Sequence, residues 1–185
     1  MSGDADFFHY IENETADGFE YNDFPFEKVP VDQPIVCDMS SSFMTRPIDW
    51  SKFGAVYAGA QKQVGIANTC ILVVRKDLLG RHSAETPKLL AWKTFEDAPD
   101  TYPNTPNVWG IYMCGLMLDH QMTLGGLGEM QARALARSTP IYDYLDQGAQ
   151  DGFYVNKVEP KYRSRINITL RIRNKDTALE AKFAQ

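Results

Sequence analysis

Residues 35–62 read IVCDMSSSFMTRPIDWSKFGAVYAGAQK, with a short apolar run near each end. The first run, residues 35–37, ends in Asp38, and the second, residues 55–60, is followed closely by Lys62. Short apolar runs of this kind are typical of buried strands. Because ligands of open α/β sheets commonly bind at the carboxyl ends of strands, Asp38 and Lys62 are candidates to face one ligand.

Further strand candidates lie on both sides of this segment. Residues 7–11 are aromatic and apolar, and residues 70–74 form another buried run that ends at Arg75. The connections between these runs are short and none has the pattern of a long helix, which favours a mixed sheet covered on both faces. The tail adds residues 153–155 and the alternating run 166–172, which is typical of a half-exposed antiparallel strand.

A helix is predicted between the sheet and the tail. Thr105 followed by Pro106 is a typical helix start, with the threonine as N-cap and the proline as the first helical residue. The apolar pattern continues to about residue 123, and the glycine pair at 125–126 should end the helix.

A second helix is predicted over about residues 127–146. It contains Pro140, which should kink the helix because a proline in a helix interior costs about 3 kcal/mol. Valine or alanine at this position should therefore raise the melting temperature.

Composition and charge exclude several classes of function. The 185 residues are 44% hydrophobic and 23% charged, which is ordinary for a globular protein of one domain, or of one domain and part of a second. The net charge is −5 and no basic patch stands out, so nucleic acid is not an expected partner. No apolar run approaches the roughly 20 residues that cross a bilayer, and residues 1–6 do not resemble a signal peptide. The cytoplasm is the expected compartment.

The cysteines and histidines give no sign of a metal site. Cys37, Cys70 and Cys114 each lie in an apolar stretch without a CxxC spacing, so we expect buried, reduced thiols. The three histidines are scattered, and no cluster has the spacing of metal ligands.

Two interpretations of Asp38 and Lys62 are open from the residues alone. One is an ordinary ion pair at a sheet edge. The other is a site for pyridoxal 5'-phosphate (PLP), because a lysine amine forms an imine with the cofactor aldehyde and a carboxylate keeps the pyridine nitrogen protonated. Gly59, Ala60 and Gly65 would let the backbone pass close to a flat ring.

At this point the sequence resembles the phosphoserine aminotransferases. The separation of 24 residues between Asp38 and Lys62 equals the separation of the pyridine-binding aspartate and the Schiff-base lysine in that family. The matching runs follow the family order and span nearly the whole chain: NET at 13–15, CDMSS at 37–41, RPID at 46–49, YAGAQK at 57–62, VRKDLLG at 74–80, NTP at 104–106 and RSRIN at 163–167.

The resemblance implies an α/β protein with the fold type I of PLP-dependent transferases. Residues 1–124 would form an incomplete mixed sheet of the large domain, and residues 125–185 the start of an α+β small domain. The implied cofactor is PLP, and the implied reaction transfers an amino group between O-phosphoserine and 2-oxoglutarate in serine biosynthesis. The implied assembly is a homodimer whose subunits share the cofactor sites.

The resemblance also implies roles for single residues. Lys62 would form the imine and act as general base in the proton shift, and Asp38 would pair with the pyridine nitrogen. Thr15 would donate a hydrogen bond to the ring oxygen, and Gln61 would bind the cofactor phosphate.

A second pair, Asn104 and Thr105, would reach the cofactor phosphate of the partner subunit. Thr105 is also a good N-cap in any case, and a helix N-terminus suits a phosphate on general grounds. Arg163 and Arg165 are interpreted as solvated charges at a strand edge, without a catalytic role.

The chain corresponds to about half of a family member, and this leaves alternatives open. No residues match the family's glycine-rich phosphate turn, its ring-stacking tryptophan or its substrate-binding arginines. One alternative is a truncated, catalytically inactive remnant that acts as an interaction partner or is vestigial. Another is a different PLP enzyme of the same fold, such as an alanine–glyoxylate transaminase, although the run around Lys62 argues against it.

Overall fold

A computed structural model describes residues 5–98, 102–173 and 175–185. Short strands, four α-helices and several short 3-10 helices form the regular structure of these residues. The strands are β1 (Phe8–Ile11), β2 (Asn13–Glu14), β3 (Phe19–Glu20), β4 (Ile35–Asp38), β5 (Ala55–Gly59), β6 (Cys70–Val74), β7 (Tyr154–Val155) and β8 (Arg171–Ile172). The helices are α1 (Lys93–Glu96), α2 (Val108–Thr123), α3 (Gly126–Gly148) and α4 (Thr177–Phe183).

The central sheet has the strand order β1-β4-β5-β6. Strands β1, β4 and β5 are parallel, and β6 is antiparallel to β5. The mixed sheet predicted from the short apolar runs is therefore confirmed. Ile11, Asp38 and Tyr57 lie in one row across the three parallel strands, so the carboxyl ends of these strands meet at one edge.

One face of this sheet is packed and the other is not, within the described residues. The packed face contains alternate residues of the strands, such as Tyr10, Cys37 and Ala58, which are buried in the core. On the opposite face, Ile11 is 45% exposed and Leu72 is 41% exposed. The prediction of a sheet covered on both faces is therefore wrong for this part of the protein, because no described helix packs over the second face.

Aromatic packing fixes the irregular segment between β3 and β4. Tyr10 stacks on Phe24 with 4.0 Å between ring centroids, and Phe24 contacts Phe26, which in turn meets Phe53 edge-on at 5.6 Å. Such ring pairs contribute about 0.5–1.5 kcal/mol each beyond their buried area. The segment needs no regular structure of its own because these rings attach it to the packed face of the sheet.

Helix α2 begins two residues later than predicted. Asn107 is its N-cap: its side-chain oxygen accepts from Gly110 N at 3.0 Å. The same side chain donates to the carbonyl of Asn68 and to Thr69 Oγ1, both at 3.2 Å, and so joins the helix start to the turn before β6. Thr105 is exposed and does not cap the helix, because Asn107 occupies the N-cap position and accepts from Gly110 N.

Helix α3 follows α2 after a turn at two glycines, as predicted. Gly125 and Gly126 have φ values of +115° and +72°, which other residues adopt only with strain. The helix is continuous through Pro140. The domain boundary at residues 124–125 coincides with this turn and stays a prediction.

The tail differs from its predicted strand. Of residues 166–172, Arg171–Ile172 (β8) is the part that pairs as a strand, with β7. The preceding residues bond to the turn between β2 and β3 instead: Ser164 N donates to the carbonyl of Gly18 at 2.9 Å, and Thr169 Oγ1 donates to that of Asp17 at 2.7 Å. These bonds replace a sheet ladder, so the alternating pattern does not produce a long strand here.

The three cysteines are free, and two of them are buried as predicted. Cys37 is fully buried and Cys114 is 7% exposed, whereas Cys70 is exposed. Cys70 differs because β6 is the edge strand of the sheet and projects this side chain from the uncovered face. In the described parts of the chain, no helix is long and apolar enough to cross a membrane.

Candidate cofactor site

The parallel strands bring three of the predicted site residues to one edge of the sheet. Asp38 is the last residue of β4, and Lys62 lies in the turn that follows β5. Glu12, directly after β1, donates its N–H to the carbonyl of Asp38 at 3.0 Å, so the chain that continues to Thr15 leaves from the same edge. This is the location at which open α/β sheets bind ligands.

The Asp38 carboxylate is held by the loop that follows its strand. Its Oδ1 atom accepts from Ser40 N at 2.8 Å, and Ser40 Oγ accepts from Gly59 N at 3.1 Å. The group is half-buried, and an ionised carboxylate has about four lone-pair sites, so it keeps acceptor capacity for a protonated ring nitrogen. The carboxylate is therefore oriented but not saturated.

The Lys62 side chain is exposed, and within the described residues it makes no hydrogen bond or ion pair. An ion pair with Asp38, the alternative interpretation, is accordingly not formed. The pKa of Glu14 is lowered, chiefly by hydrogen bonds from Asp17 N and Ala16 N and to a smaller extent by the charge of Lys62.

Thr15 is in the turn between β2 and β3. The carboxylate of Glu14 closes this turn by accepting from Ala16 N at 3.1 Å and from Asp17 N at 2.7 Å. The Thr15 hydroxyl is exposed and has no partner among the described residues. It is free to donate to a ligand at the sheet edge, because other groups already close the turn.

Gln61 lies over the backbone of β5. A Cβ atom at Gly59 would be 2.7 Å from Gln61 Oε1, so the side-chain amide covers this glycine closely. Gly59 is directed to the same face of the sheet as Asp38. Because it has no side chain, the Gln61 amide has room there. Gly65 has a different reason: its Cβ would be 2.6 Å from Cys114 Sγ, so this glycine is required by packing against α2 and not by a cofactor ring.

Asn104 and Thr105 are not part of this constellation. Both are exposed, ahead of α2, and Asn104 Nδ2 donates to the carbonyl of Thr105 at 3.5 Å. Neither forms a hydrogen bond with Asp38, Gln61 or Lys62 in the described structure. The predicted role of this pair in binding a cofactor phosphate stays a prediction.

Sequence reasoning missed a buried polar network directly behind the site. Asn13 donates to Ser41 Oγ at 3.0 Å and to Asn167 Oδ1 at 2.8 Å, and its own side-chain oxygen accepts from Ser164. This network joins the strand before Thr15, the loop after Asp38 and the tail. Asn13, Ser164 and Asn167 lie in the runs NET and RSRIN, which are among the runs that match the family. Nothing in the sequence, however, showed that these polar residues contact one another.

Glu12 belongs to the same buried region. It is 1% exposed and pairs with Arg46 and Ser42, both in the segment that follows Asp38. Burial raises the pKa of Glu12, while the charge of Arg46 and the hydrogen bond from Ser42 oppose that shift. The contacts of Glu12 with Arg46 and Ser42 fix the course of the chain between β4 and β5.

The interpretation of Arg163 and Arg165 as solvated charges is wrong. Arg163 forms two hydrogen bonds of 2.7 Å with Asp146, and its side chain is 13% exposed. Arg165 pairs with Glu20, whose side chain is completely buried. Both arginines attach the tail to earlier parts of the chain.

The model of the class-V aminotransferase family matches residues 8–183, which is nearly the whole chain. The chain therefore belongs to the class-V aminotransferases. It is 42% identical to phosphoserine aminotransferase of Drosophila melanogaster, over a stretch that covers 99% of this chain and 50% of that protein.

Solved structures agree with this assignment. Phosphoserine aminotransferase from Bacillus circulans subsp. alkalophilus superposes with a TM-score of 0.89 at 35% identity, covering 100% of this chain and 49% of that one. PLP-bound phosphoserine aminotransferase from Trichomonas vaginalis gives 0.87 at 34% identity, covering 99% and 50%. The fold is thus that of the PLP-dependent phosphoserine aminotransferases, and the chain spans about half the length of the relatives it matches.

Proposed function

We propose that this chain forms the cofactor-lysine part of a PLP-dependent phosphoserine aminotransferase, which exchanges an amino group between O-phosphoserine and 2-oxoglutarate in serine biosynthesis. The supporting observation is the pair of groups at one sheet edge: an oriented carboxylate, Asp38, and an amine, Lys62, that has no partner among the described residues. The substrates are proposed from the relatives, which are phosphoserine aminotransferases at 42% and 39% identity.

The residues present fit PLP. Lys62 would bind the cofactor aldehyde covalently, and once the substrate amino group has displaced it, its freed amine would move a proton from the substrate α-carbon to the former aldehyde carbon of the cofactor. Asp38 would keep the pyridine nitrogen protonated, Thr15 would donate to the ring oxygen and Gln61 Nε2 would donate to the phosphate. The cofactor, when bound, supplies the electron sink that this reaction needs.

The assembly proposed is a homodimer with shared cofactor sites. Helix α2 exposes large apolar side chains, with Trp109 62% exposed and Tyr112 55% exposed, and apolar surface of this kind marks an interface. Asn104 and Thr105 precede this helix and would reach the cofactor phosphate of the second copy.

Two further parts of the proposal concern organisation and compartment. Residues 1–124 would belong to the large domain and residues 125–185 to the small domain, with the boundary at the turn before α3. The cytoplasm is proposed because the three free cysteines suit a reducing compartment.

The proposal is tested by titrating the purified chain with PLP and then supplying O-phosphoserine and 2-oxoglutarate. PLP uptake that is lost in Lys62→Ala and weakened in Asp38→Asn is expected, and glutamate formation that needs both substrates and Lys62 would support the aminotransferase. Equal uptake by the wild type and Lys62→Ala would refute the site. PLP held at Lys62 without glutamate formation would favour the inactive remnant, which the half-length match and the uncovered sheet face make the second candidate.

A further inference from the structure

A tyrosine and a histidine lie beside Asp38 on the uncovered face of the sheet. Tyr57 is paired with Asp38 in the register of β4 and β5, so the two side chains project from the same face. His9 on β1 approaches from the other side of β4: its Nε2 atom is 3.0 Å from Tyr57 Oη, and the rings are stacked with an interplanar angle of 14°. The two side chains therefore bridge β4 next to the carboxylate.

The protons available on Asp38, Tyr57 and His9 limit which of these side chains can donate a hydrogen bond. An ionised carboxylate only accepts, and a phenol has a single proton to donate. Burial raises the pKa of Tyr57 most, followed by the charge of Asp38. In the proposed arrangement the Tyr57 hydroxyl donates to the neighbouring Asp38 carboxylate, which leaves His9 Nε2–H to donate to the phenol oxygen.

We infer that Tyr57 and His9 are positioning residues, which hold the Asp38 carboxylate in the orientation that a protonated pyridine nitrogen requires. Ser40 N fixes one oxygen of the carboxylate from the loop side, and Tyr57 acts from the sheet face. Neither residue touches the reacting atoms. This inference rests on the proposed function. It adds Tyr57 and His9 to the cofactor site, and neither is among the site residues that the resemblance implies.

A purely structural bracing of the sheet is the competing explanation, and it makes a different prediction. Bracing would change stability but neither the affinity for PLP nor the spectrum of the bound cofactor. Positioning would change both, because the carboxylate sets the protonation of the ring nitrogen and thereby the absorption of the cofactor.

The test uses the full chain, with PLP itself as the probe. Tyr57→Phe keeps the ring but removes the donor and should weaken PLP binding about tenfold, as expected for a hydrogen bond to a charged group, with a shifted absorption band. His9→Phe keeps the stacked ring and should have a smaller effect in the same direction. The double variant should bind PLP no more weakly than Tyr57→Phe alone, because His9 acts through Tyr57.

Tyr10→Phe is the matched control, since it removes a hydroxyl from β1 on the opposite face of the sheet. It should leave the affinity for PLP and the spectrum unchanged. If Tyr57→Phe behaves like this control, the positioning role is refuted while the proposed function stands. If the wild-type chain takes up no PLP, the proposed function fails and the role of the pair fails with it.

A measurement without cofactor examines the contact directly. The pKa of Tyr57, followed by NMR of ring-labelled tyrosine, should fall in Asp38→Asn, because the negative charge that raises it is removed. The Tyr57 signal is identified by its absence in Tyr57→Phe. An unchanged pKa in Asp38→Asn would overturn the proposed contact whatever the chain does with PLP.

Discussion

Replacement of Arg165 by methionine should destabilise the protein far more than the removal of a surface charge. The side chain of Glu20 is completely buried, and it accepts from Arg165 N at 2.9 Å, from Nε at 3.3 Å and from Nη2. In Arg165→Met, the backbone N–H of residue 165 would be the one donor to Glu20 that remains among the described residues. Removal of one partner from a buried ion pair costs about 3–5 kcal/mol, because the other charge is left without compensation.

That cost is a large part of the 5–15 kcal/mol by which a typical domain is stable. Urea unfolding followed by tryptophan fluorescence would measure it. Arg171→Met is the control in the same segment, since Arg171 is 51% exposed and lies 3.7 Å from Glu180; it should cost less than about 1 kcal/mol. The double variant Glu20→Met/Arg165→Met should recover part of the loss, because it removes both buried charges.

Equal free energies of unfolding for Arg165→Met and Arg171→Met would refute this reasoning. They would mean that Arg165 is a solvated charge after all, and that the tail is held to β3 by other contacts.

Three further changes test single features of the fold. Asn107→Ala should cost about 1 kcal/mol as the loss of an N-cap, and Thr105→Ala should leave the free energy of unfolding unchanged; similar losses in both would restore Thr105 as the cap. Alkylation at about pH 8, followed by mass spectrometry, should label Cys70 quickly and Cys37 only after unfolding. Cys37 is fully buried, and burial raises its pKa to about 12. Rapid labelling of Cys37 would show that the core opens. Pro140→Ala should raise the melting temperature measured by circular dichroism, since it supplies the missing donor inside α3, and a lower value would show that the proline is required.

The strands of the sheet were predictable because each is a short apolar run closed by a polar residue. Strand β6 was found with its observed bounds, and β4 and β5 to within one residue at their ends. The uncovered face was not predictable in the same way. Apolar residues in a strand indicate that its side chains are buried. Whether a second layer covers both faces of the sheet depends on segments that are distant in the sequence.

The tail shows where a local pattern fails. Residues 166–172 alternate as a strand does, yet Thr169 accepts from the Asn156 side chain and donates to the carbonyl of Asp17 in the turn after β2, instead of pairing with a neighbouring strand. Contacts between residues about 150 positions apart, such as that of Asn13 with Asn167, leave no periodic signal in a sequence. The same argument applies to Arg165, because a buried arginine and an exposed one look identical until the partner is located.

The candidate site was predictable to the extent that strand ends determine it. Asp38 and Lys62 follow strands whose carboxyl ends share one edge, and the structure brings these ends together with the turn of Thr15. The pair of Tyr57 and His9 was not predictable, because the bridge depends on the strand order β1-β4-β5, which no single run of sequence specifies.

The most direct measurement is to add PLP to the purified chain, reduce with borohydride and map the modified peptides by mass spectrometry. The chain contains other exposed lysines, such as Lys28 and Lys157, whose modification would report unspecific reaction. A pyridoxyl group confined to Lys62, absent in Lys62→Ala and reduced in Asp38→Asn, is the predicted result. No modification, or modification spread evenly over surface lysines, would contradict the proposal that this sheet edge is a cofactor site.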